Sequence, residues 1–179
     1  MVDVTAMTAL VARVDADLLY IVDDPSGSPL PRKITVGNLL QQGWGELILN
    51  AGAATQSPVI STWTKLTQFT ANGQSKNTTP AHGTDQIVAD AGGLWEVRLD
   101  ASFVAGAAAL VELAVYLNGS PTTIFGQANN DGTNIQHVSA GGLVPSVVAA
   151  QAFDARVRLD ATTTIGLTEA RLYARRLSA

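Results

Sequence analysis

The side chains best suited to catalysis or metal binding are few in this sequence, beginning with its two histidines. His82 precedes Asp85 in a polar stretch, and His137 lies close to Ser139. A zinc site needs three or four converging ligands, which one histidine and one aspartate do not supply. A serine nucleophile needs a paired base and a third orienting group, and nothing around Ser139 marks either. These residues therefore predict neither a metal centre nor a catalytic triad.

The acidic residues lead to the same conclusion. Glu96, Asp100 and Glu112 could share one polar sheet face, but strand alternation already places polar side chains there. A glycosidase would need two carboxylates converging on a cleft, and no feature marks one. The run NNDG from Asn129 to Gly132 offers oxygen ligands for calcium but lacks the further acidic residues of a dedicated loop, which favours a plain turn. We expect a protein that is not an enzyme and that uses no cofactor or metal.

Charge and composition exclude several kinds of partner. The 179 residues carry a formal net charge of -4, which argues against nucleic-acid binding through a basic patch. No apolar run approaches the roughly 20 residues of a membrane span, and the absence of cysteine excludes disulfides and thiolate metal sites. Only 15% of the residues are charged, against about 25% in an average soluble domain. This deficit predicts surface hidden against other copies or a larger assembly.

The elements that position these side chains are strands, most clearly between Gly93 and Gly119. Apolar and polar residues alternate from Leu94 to Phe103 and again from Val111 to Leu117, the period of a strand with one buried face. The second strand stops at Asn118-Gly119, a dipeptide that adopts positive φ at little cost and closes tight hairpins. This pair predicts the middle of an antiparallel sheet packed on one side.

The C-terminal part continues this series of strands at even spacing. Such spacing with short turns predicts an all-β fold, an antiparallel sandwich or jelly roll. The polar stretches 72–83 and 128–133 are predicted loops. The predicted strands are 62–69, 87–89, 94–104, 109–117, 122–127, 135–140, 152–159 and 168–177.

The N-terminal residues 1–43 are predicted to form an arm of strand, loop, strand and helix. Apolar residues at helical spacing, prolines and a threonine N-cap indicate its elements. The predicted order within the arm is a helix between Met7 and Leu18, a strand at 17–24, a proline-rich turn at 25–31, an extended segment at 32–34 and a helix at 36–42. After the arm we expect a linker at 44–60, which contains one strand (46–50), and then a knob at 61–179.

The segment DLLYIVDDPSGSPLPRKITVGNLL, Asp17 to Leu40, resembles an element near the N-terminus of many tailed-bacteriophage fibre and appendage proteins. There an Asp-rich strand, a variable turn and a "kkIt..nLl" stretch precede the exposed part. The matching positions are Asp17, Leu19, Tyr20, Val22, Asp23, Asp24, Lys33, Ile34, Thr35, Asn38 and Leu39.

This resemblance implies an anchor, or a device for trimer registration, at the virion-proximal end, with no chemistry attached. A β-hairpin with a capped helix and no anchoring role is the alternative. The candidate docking residues are Leu18, Tyr20, Val22, Asp23, Ile34, Leu39 and Leu40.

Four stretches of the knob, GLWEVRLDASFVA, ALVELAVYLNG, AQAFDARVRLD and TEARLYARRL, are similar in order to strands of C1q/TNF-like trimeric jelly rolls. Trp95 stands where that family has Tyr, Ala152-Phe153 stands where it has Ala-Gly, and its "f-s-G" close is absent. The resemblance implies a jelly-roll fold and a homotrimer, whereas alternation alone also allows another all-β sandwich. The matching positions are Gly93, Trp95, Asn118, Gly119, Asp154, Val157 and Leu172.

Aromatic and apolar strand residues are candidates for the trimer contact, for a sugar-stacking platform or for the core. Most aromatic residues occupy in-facing positions, which favours the core for the set Trp63, Phe69, Trp95, Phe103, Phe125 and Phe153. Trp44, between two glycines at the arm-to-knob junction, is predicted at a subunit or anchor contact. The candidate trimer-interface residues are Trp44, Val111, Leu113, Val115 and Leu172.

Together these features predict a bacteriophage virion structural protein, a trimeric short fibre or capsid decoration protein anchored by its arm. The expected partners are other copies of the chain and capsid, tail or baseplate proteins. The N-terminus lacks the basic start and apolar block of an export signal, so we expect assembly in the host cytoplasm and a final place on the virion surface. The alternatives are a receptor- or carbohydrate-binding fibre or adhesin module, whose partner is a host surface glycan, a host-encoded C1q-like binding module, and an enzyme acting on polysaccharide.

Overall fold

The computed structural model describes residues 18–22, 31–35, 42–49 and 54–178. The chain divides into two compact units, 1–41 and 42–179. In the first unit, strand β1 (Leu18–Val22) pairs antiparallel with β2 (Pro31–Thr35). The two predicted helices fall outside the described residues, except that Leu18 begins β1 and Gln42 begins the second unit.

The second unit is built from strands and one short 3₁₀ turn, His82–Thr84. Among the residues described, no helix is long and apolar enough to cross a membrane. The strands are β3 (Trp44–Leu49), β4 (Ala54–Gln56), β5 (Thr64–Lys65), β6 (Ala71–Lys76), β7 (Thr78–Ala81), β8 (Gln86–Ala89), β9 (Gly93–Ala105), β10 (Ala108–Leu117), β11 (Ser120–Asp131), β12 (Gln136–Val147), β13 (Ala152–Leu159) and β14 (Ile165–Ser178).

These strands form two six-stranded antiparallel sheets. The first sheet has the order β12-β9-β14-β3-β6, with β4 also paired to β14, and the second has the order β11-β10-β13-β8-β7, with β5 paired to β13. From β9 onwards the chain passes repeatedly between the sheets, which is how a double-sheet jelly roll is wound. The expectation of an all-β antiparallel jelly roll is therefore confirmed.

The core lies between the two sheets because each long strand has one apolar face. On β9 the side chains of Trp95, Val97 and Leu99 are fully buried, and Trp95 packs on Phe153 of β13 with ring centroids 5.7 Å apart. Each large apolar side chain buried in this way contributes about 1.5–3 kcal/mol. Of the six aromatic residues assigned to the core, four are buried, but Trp63 is half-buried and Phe125 is 54% exposed.

The turn between β10 and β11 has the predicted geometry. Asn118 and Gly119 have φ of 51° and 81°, and Leu117 faces Ser120 across this two-residue loop. Positive φ at both central residues matches the twist of the flanking strands. The sequence signal was sufficient here because it is entirely local.

Several predicted boundaries were wrong. Residues 72–83, predicted as a loop, contain most of β6 and β7, which are the edge strands of the two sheets. Edge strands face solvent and tolerate the polar, Gly- and Pro-containing sequence that also marks loops. The predicted strand 62–69 is reduced to Thr64–Lys65, and β11 runs through Asp131 into the stretch predicted as a loop at 128–133.

The linker predicted at 44–60 is also corrected. Strand β3 lies inside the first sheet, paired with β14 on one side and β6 on the other. Leu47 and Leu49 of β3 belong to the core. Residues 44–49 are thus part of the sandwich. The sequence did not predict this because the strand that pairs with them, β14, lies at the far end of the chain.

Candidate functional site

The side of the first sheet that faces away from the second sheet, called here the outer face, collects polar side chains from four strands. Residues paired across strands lie side by side on one face. Along the sheet the rows are His137–Ser102–Glu169, Ser139–Asp100–Arg171–Ile48, Gly141–Arg98–Tyr173–Glu46 and Leu143–Glu96–Arg175–Trp44.

Three arginines of the outer face form ion pairs within the chain. Arg175 Nη2 donates to Glu96 Oε2 at 2.7 Å, and Arg98 Nε donates to Asp100 Oδ2 at 3.1 Å. Arg171 Nε donates to Glu46 Oε2 at 2.6 Å. The arginine side chains remain 60%, 55% and 43% exposed for Arg98, Arg171 and Arg175. Exposed ion pairs of this kind add little to the stability of the fold. Their arrangement matters more for which partner surface the outer face can bind.

Glu46 is the most enclosed carboxylate of the outer face. It is 9% exposed, and its Oε1 accepts a hydrogen bond from the backbone N–H of Gln74 at 3.2 Å. A Cβ at position 73 would lie 2.1 Å from Cγ of Glu46, so the site requires glycine at that position. Glu46 is thus a fixed acceptor for Arg171 at the β3 side of the outer face.

The outer face is grooved. A groove of about 610 Å³ is lined by residues that include Glu46, Asp100, His137 and Glu169. A second groove of about 470 Å³ lies along the charged side chains of β9 and β14, and a third of about 450 Å³ lies between β9 and β12. These grooves give the outer face room for side chains of a partner.

Most of the predicted trimer-interface residues are placed elsewhere. Val111, Leu113, Val115 and Leu172 are 0% exposed and belong to the core between the two sheets. A strand of a sandwich has one apolar face, and here the opposite sheet of the same chain covers it, so these four assignments were wrong. Trp44 lies on the outer face, half-buried and in register with Arg175. Its role at a subunit contact stays a prediction.

The candidate docking residues fall in the first unit. Leu18, Tyr20, Val22 and Ile34 belong to the β1–β2 hairpin, in which Leu19 pairs with Ile34 and Tyr20 with Lys33. The others, Asp23, Leu39 and Leu40, lie outside the described residues. Their docking role is a prediction.

The second sheet has an outer face of its own, formed by alternate residues of β10, β11 and β13 with Trp63. Arg158 lies over the Trp63 ring at 5.0 Å, and Arg156 lies over the Tyr116 ring at 4.1 Å. Donation to Asp154 raises the pKa of Arg156, and donation to Glu112 raises that of Arg158. Both guanidiniums therefore stay charged while stacked on aromatic rings. Glu112 lies on this sheet, so it does not share a face with Glu96 and Asp100, an arrangement that the sequence alone allowed.

Both histidines are hydrogen-bonded to uncharged residues. His137 Nδ1 lies 3.2 Å from Ser102 Oγ. Ser139, the serine close to His137 in sequence, instead accepts a hydrogen bond from Arg98 Nη2 at 3.3 Å. The backbone N–H of His82 donates to Asn72 Oδ1 at 2.7 Å. In the described part of the chain, no three His, Cys, Asp or Glu side chains are grouped to hold a metal ion.

Two other aspartates have structural roles. The backbone N–H groups of Asn134 and Thr133 donate to Asp131 Oδ1 at 2.8 and 2.9 Å and hold the pKa of that carboxyl well below its usual range. Asp85 accepts from the backbone N–H of Phe69 at 3.3 Å, and burial raises its pKa. Asp131 thus organises the turn between β11 and β12, and Asp85 fixes the segment that leads into β6.

Sequence reasoning missed the charged outer face because its residues come from four distant segments. The one available signal was the polar half of each alternation, in which Glu96, Arg98 and Asp100 face away from the core. The registers that bring Arg171 and Arg175 beside them follow from pairing of β9 with β14.

No protein-family profile matches the sequence, and no curated protein matches it. Solved structures do match. The globular domain of zebrafish complement 1qA protein is 11% identical, with a TM-score of 0.55, covering 76% of this chain and 98% of that one. The Eiger TNF from S. frugiperda is 9% identical, with a TM-score of 0.52, covering 76% and 94%. At such low identity the likeness concerns the fold alone, and residues 42–178 have the C1q/TNF-like jelly-roll fold.

Proposed function

We propose that the chain is a structural protein of a bacteriophage virion, a homotrimer that exposes its jelly-roll knob and docks to the particle through its N-terminal arm. The observation that carries the proposal is a C1q/TNF-like knob with a grooved outer face on its first sheet. The trimer is inferred from the resemblance to that group of jelly rolls. The phage assignment rests on the fibre-like segment from Asp17 to Leu40.

The trimer contact is assigned to the outer face of the first sheet. The core-facing sides of both sheets are used within the chain, so a second copy can reach only outer faces and edges. The outer face of the first sheet carries the grooves and Trp44, and its Arg98 and Arg171 are 60% and 55% exposed, whereas Arg156 and Arg158 of the other outer face are 23% and 39% exposed. This observation favours the first sheet as the contact.

The ends of the knob suit a common anchor. The backbone N–H of Arg176 in β14 donates to the carbonyl of Gly43 at 2.7 Å, so the start of the knob and its last strand lie at one end of the sandwich. In a cyclic trimer the three copies point the same way. The three chains then enter their knobs on one side of the trimer, and each bound arm raises the effective concentration of the others at the particle.

The test compares the full-length chain with a chain that begins at Gln42. We expect both to be trimers by analytical ultracentrifugation and both to be folded by circular dichroism, but only the full-length chain to be incorporated into particles. A matched control is the full-length chain with exposed Val148 replaced by alanine, which alters the knob surface and keeps the arm. If the truncated chain is incorporated equally well, the arm is not the anchor. If the 179-residue chain is a monomer, the proposed trimer is wrong.

A second candidate function, binding of a receptor or carbohydrate, is favoured by the outer face of the second sheet. Phe125 is 54% exposed on edge strand β11, in register with Ala114, which in turn faces Arg156. Exposed aromatic rings beside arginine and carboxylate groups are suited to stacking and hydrogen bonding with sugars. Glycan or cell binding that is lost in Phe125→Ala, and kept when exposed Leu143 is replaced by alanine, would support this function.

A further inference from the structure

We infer that the contact between copies is electrostatic, made by alternating charges on β9 and β14, so that salt takes the assembly apart. This inference rests on the proposed self-association through the outer face of the first sheet. It concerns what holds the copies together, which the fold does not determine.

Opposite charges alternate along β9, and two of these charges face an opposite charge across on β14. Along β9 the outward residues are Glu96, Arg98 and Asp100. On β14, Arg175 is in register with Glu96 and Arg171 with Asp100. Arg98, Arg171 and Arg175 therefore each have a negative neighbour within the chain.

Such a pattern has parts that are complementary to one another. Outward residues of a strand repeat at about 7 Å, so charges on one part of the β9–β14 pattern of a copy can face opposite charges on a different part of the pattern in the next copy, as the head-to-tail contacts of a ring require. Arrangements that bring like charges together are unfavourable, which makes the pairing selective. Arg98 and Glu96 are sufficiently exposed to reach a second copy, with side chains 60% and 42% accessible.

The ion pairs within the chain hold the arginine side chains in place and use only some of their N–H donors. Arg175 uses Nη2 for Glu96, while Arg98 uses Nε for Asp100 and Nη2 for Ser139. A guanidinium has five N–H donors in a rigid fork, so further donors remain on each group. Because the side chains are already held in place, less conformational entropy is lost when a second copy binds.

Apolar burial has a smaller part in this contact. The apolar side chains of the outer face, such as Ile48 and Leu143, are separated by the charged rows. Water-excluding contact over these rows would require every ion to stay paired, since an unpaired buried charge is strongly unfavourable. The contact should therefore stay hydrated and be screened by salt. The Debye length falls from about 10 Å at 0.1 M to about 3 Å at 1 M.

The test is sedimentation equilibrium of the full-length chain between about 0.05 M and 1 M NaCl, a range over which exposed charge pairs become screened. Matched variants each remove one unit of positive charge or add one negative: Arg98→Gln on the outer face of the first sheet, and Asn129→Asp on exposed β11 of the second. We expect a trimer at low salt that dissociates towards monomer at high salt. Arg98→Gln should weaken association roughly tenfold at low salt, and Asn129→Asp should leave it unchanged.

The possible results distinguish the electrostatic contact from the self-association on which it rests. A trimer of the unmodified chain that is equally stable at both salt limits would overturn the electrostatic contact and keep the trimer. A chain that is monomeric at every salt concentration would overturn self-association itself. Because the salt series uses the unmodified chain, neither result depends on how a variant folds.

Discussion

Replacing Leu113 by alanine tests whether the apolar face of β10 serves the fold of one chain or a contact between chains. Leu113 is 0% exposed, in register with Gly126 on one neighbouring strand and with Val157 on the other. Removing a buried leucine side chain typically lowers the free energy of unfolding by about 2–5 kcal/mol, because apolar burial is lost and a cavity remains. For a domain of this size, a loss of about 3 kcal/mol lowers the Tm by roughly 12 °C.

The assay is urea denaturation followed by tryptophan fluorescence over a wide range of protein concentration, because linked dissociation would make the midpoint concentration-dependent. The matched control is Leu143→Ala, since Leu143 is 53% exposed on the outer face of the first sheet. We expect Leu143→Ala to change the unfolding free energy of the monomer by no more than about 0.5 kcal/mol. If Leu113→Ala leaves this free energy unchanged and only weakens association, the assignment of Leu113 to the core is wrong.

Two further substitutions test individual contacts. Asp85→Asn should stabilise the knob at neutral pH. Asn keeps an oxygen that accepts from the N–H of Phe69, and it removes the buried negative charge, whose desolvation is unfavourable and raises the pKa of Asp85. A folded-state pKa raised above the ordinary value near 3.8 means that the Asp85 contribution is fully present below that pH and is lost as the pH rises through the folded pKa. The stability difference between variant and wild type should thus grow over that window, and a difference that is constant from pH 3 to 7 would contradict the reasoning. Gly73→Ala should lower the unfolding free energy by about 1–3 kcal/mol, because its Cβ displaces Glu46 from Arg171, and an unchanged urea midpoint would show that Glu46 can move freely.

The central strands could be predicted because one-sided burial leaves a period of two in the sequence itself. From Leu94 to Phe103 the in-facing residues are apolar, and β9 and β10 extend the predicted segments by a few residues at most. Asn118-Gly119 marked its turn for an equally local reason. Where burial and backbone conformation are decided by adjacent residues, sequence is enough.

The partner of an apolar face could not be predicted. Alternation shows that Val111, Leu113 and Val115 face something apolar, and it is equally compatible with the other sheet or another chain. The structure assigns them to the core. The outer faces of the two sheets, with Arg98 exposed on the first and Phe125 on the second, are therefore the surfaces available to a partner.

The edge strands were missed for the opposite reason. β6 buries none of its residues and β7 buries only Thr78 and Pro80, and their polar residues, glycine and proline give the same signal as a loop. β3 was missed as part of the knob because its neighbours in the sheet, β14 and β6, include the far end of the chain. Long-range pairing leaves no mark in the sequence of a single strand.

The most direct test of the proposed virion role is the copy number of this chain in purified phage particles, measured against the major capsid protein by quantitative mass spectrometry. We predict that the chain is present in a multiple of three copies per particle. A ratio near that of the capsid protein would assign it to decoration of the head, and a few copies would assign it to the tail. Particles that contain none would contradict the proposed virion role.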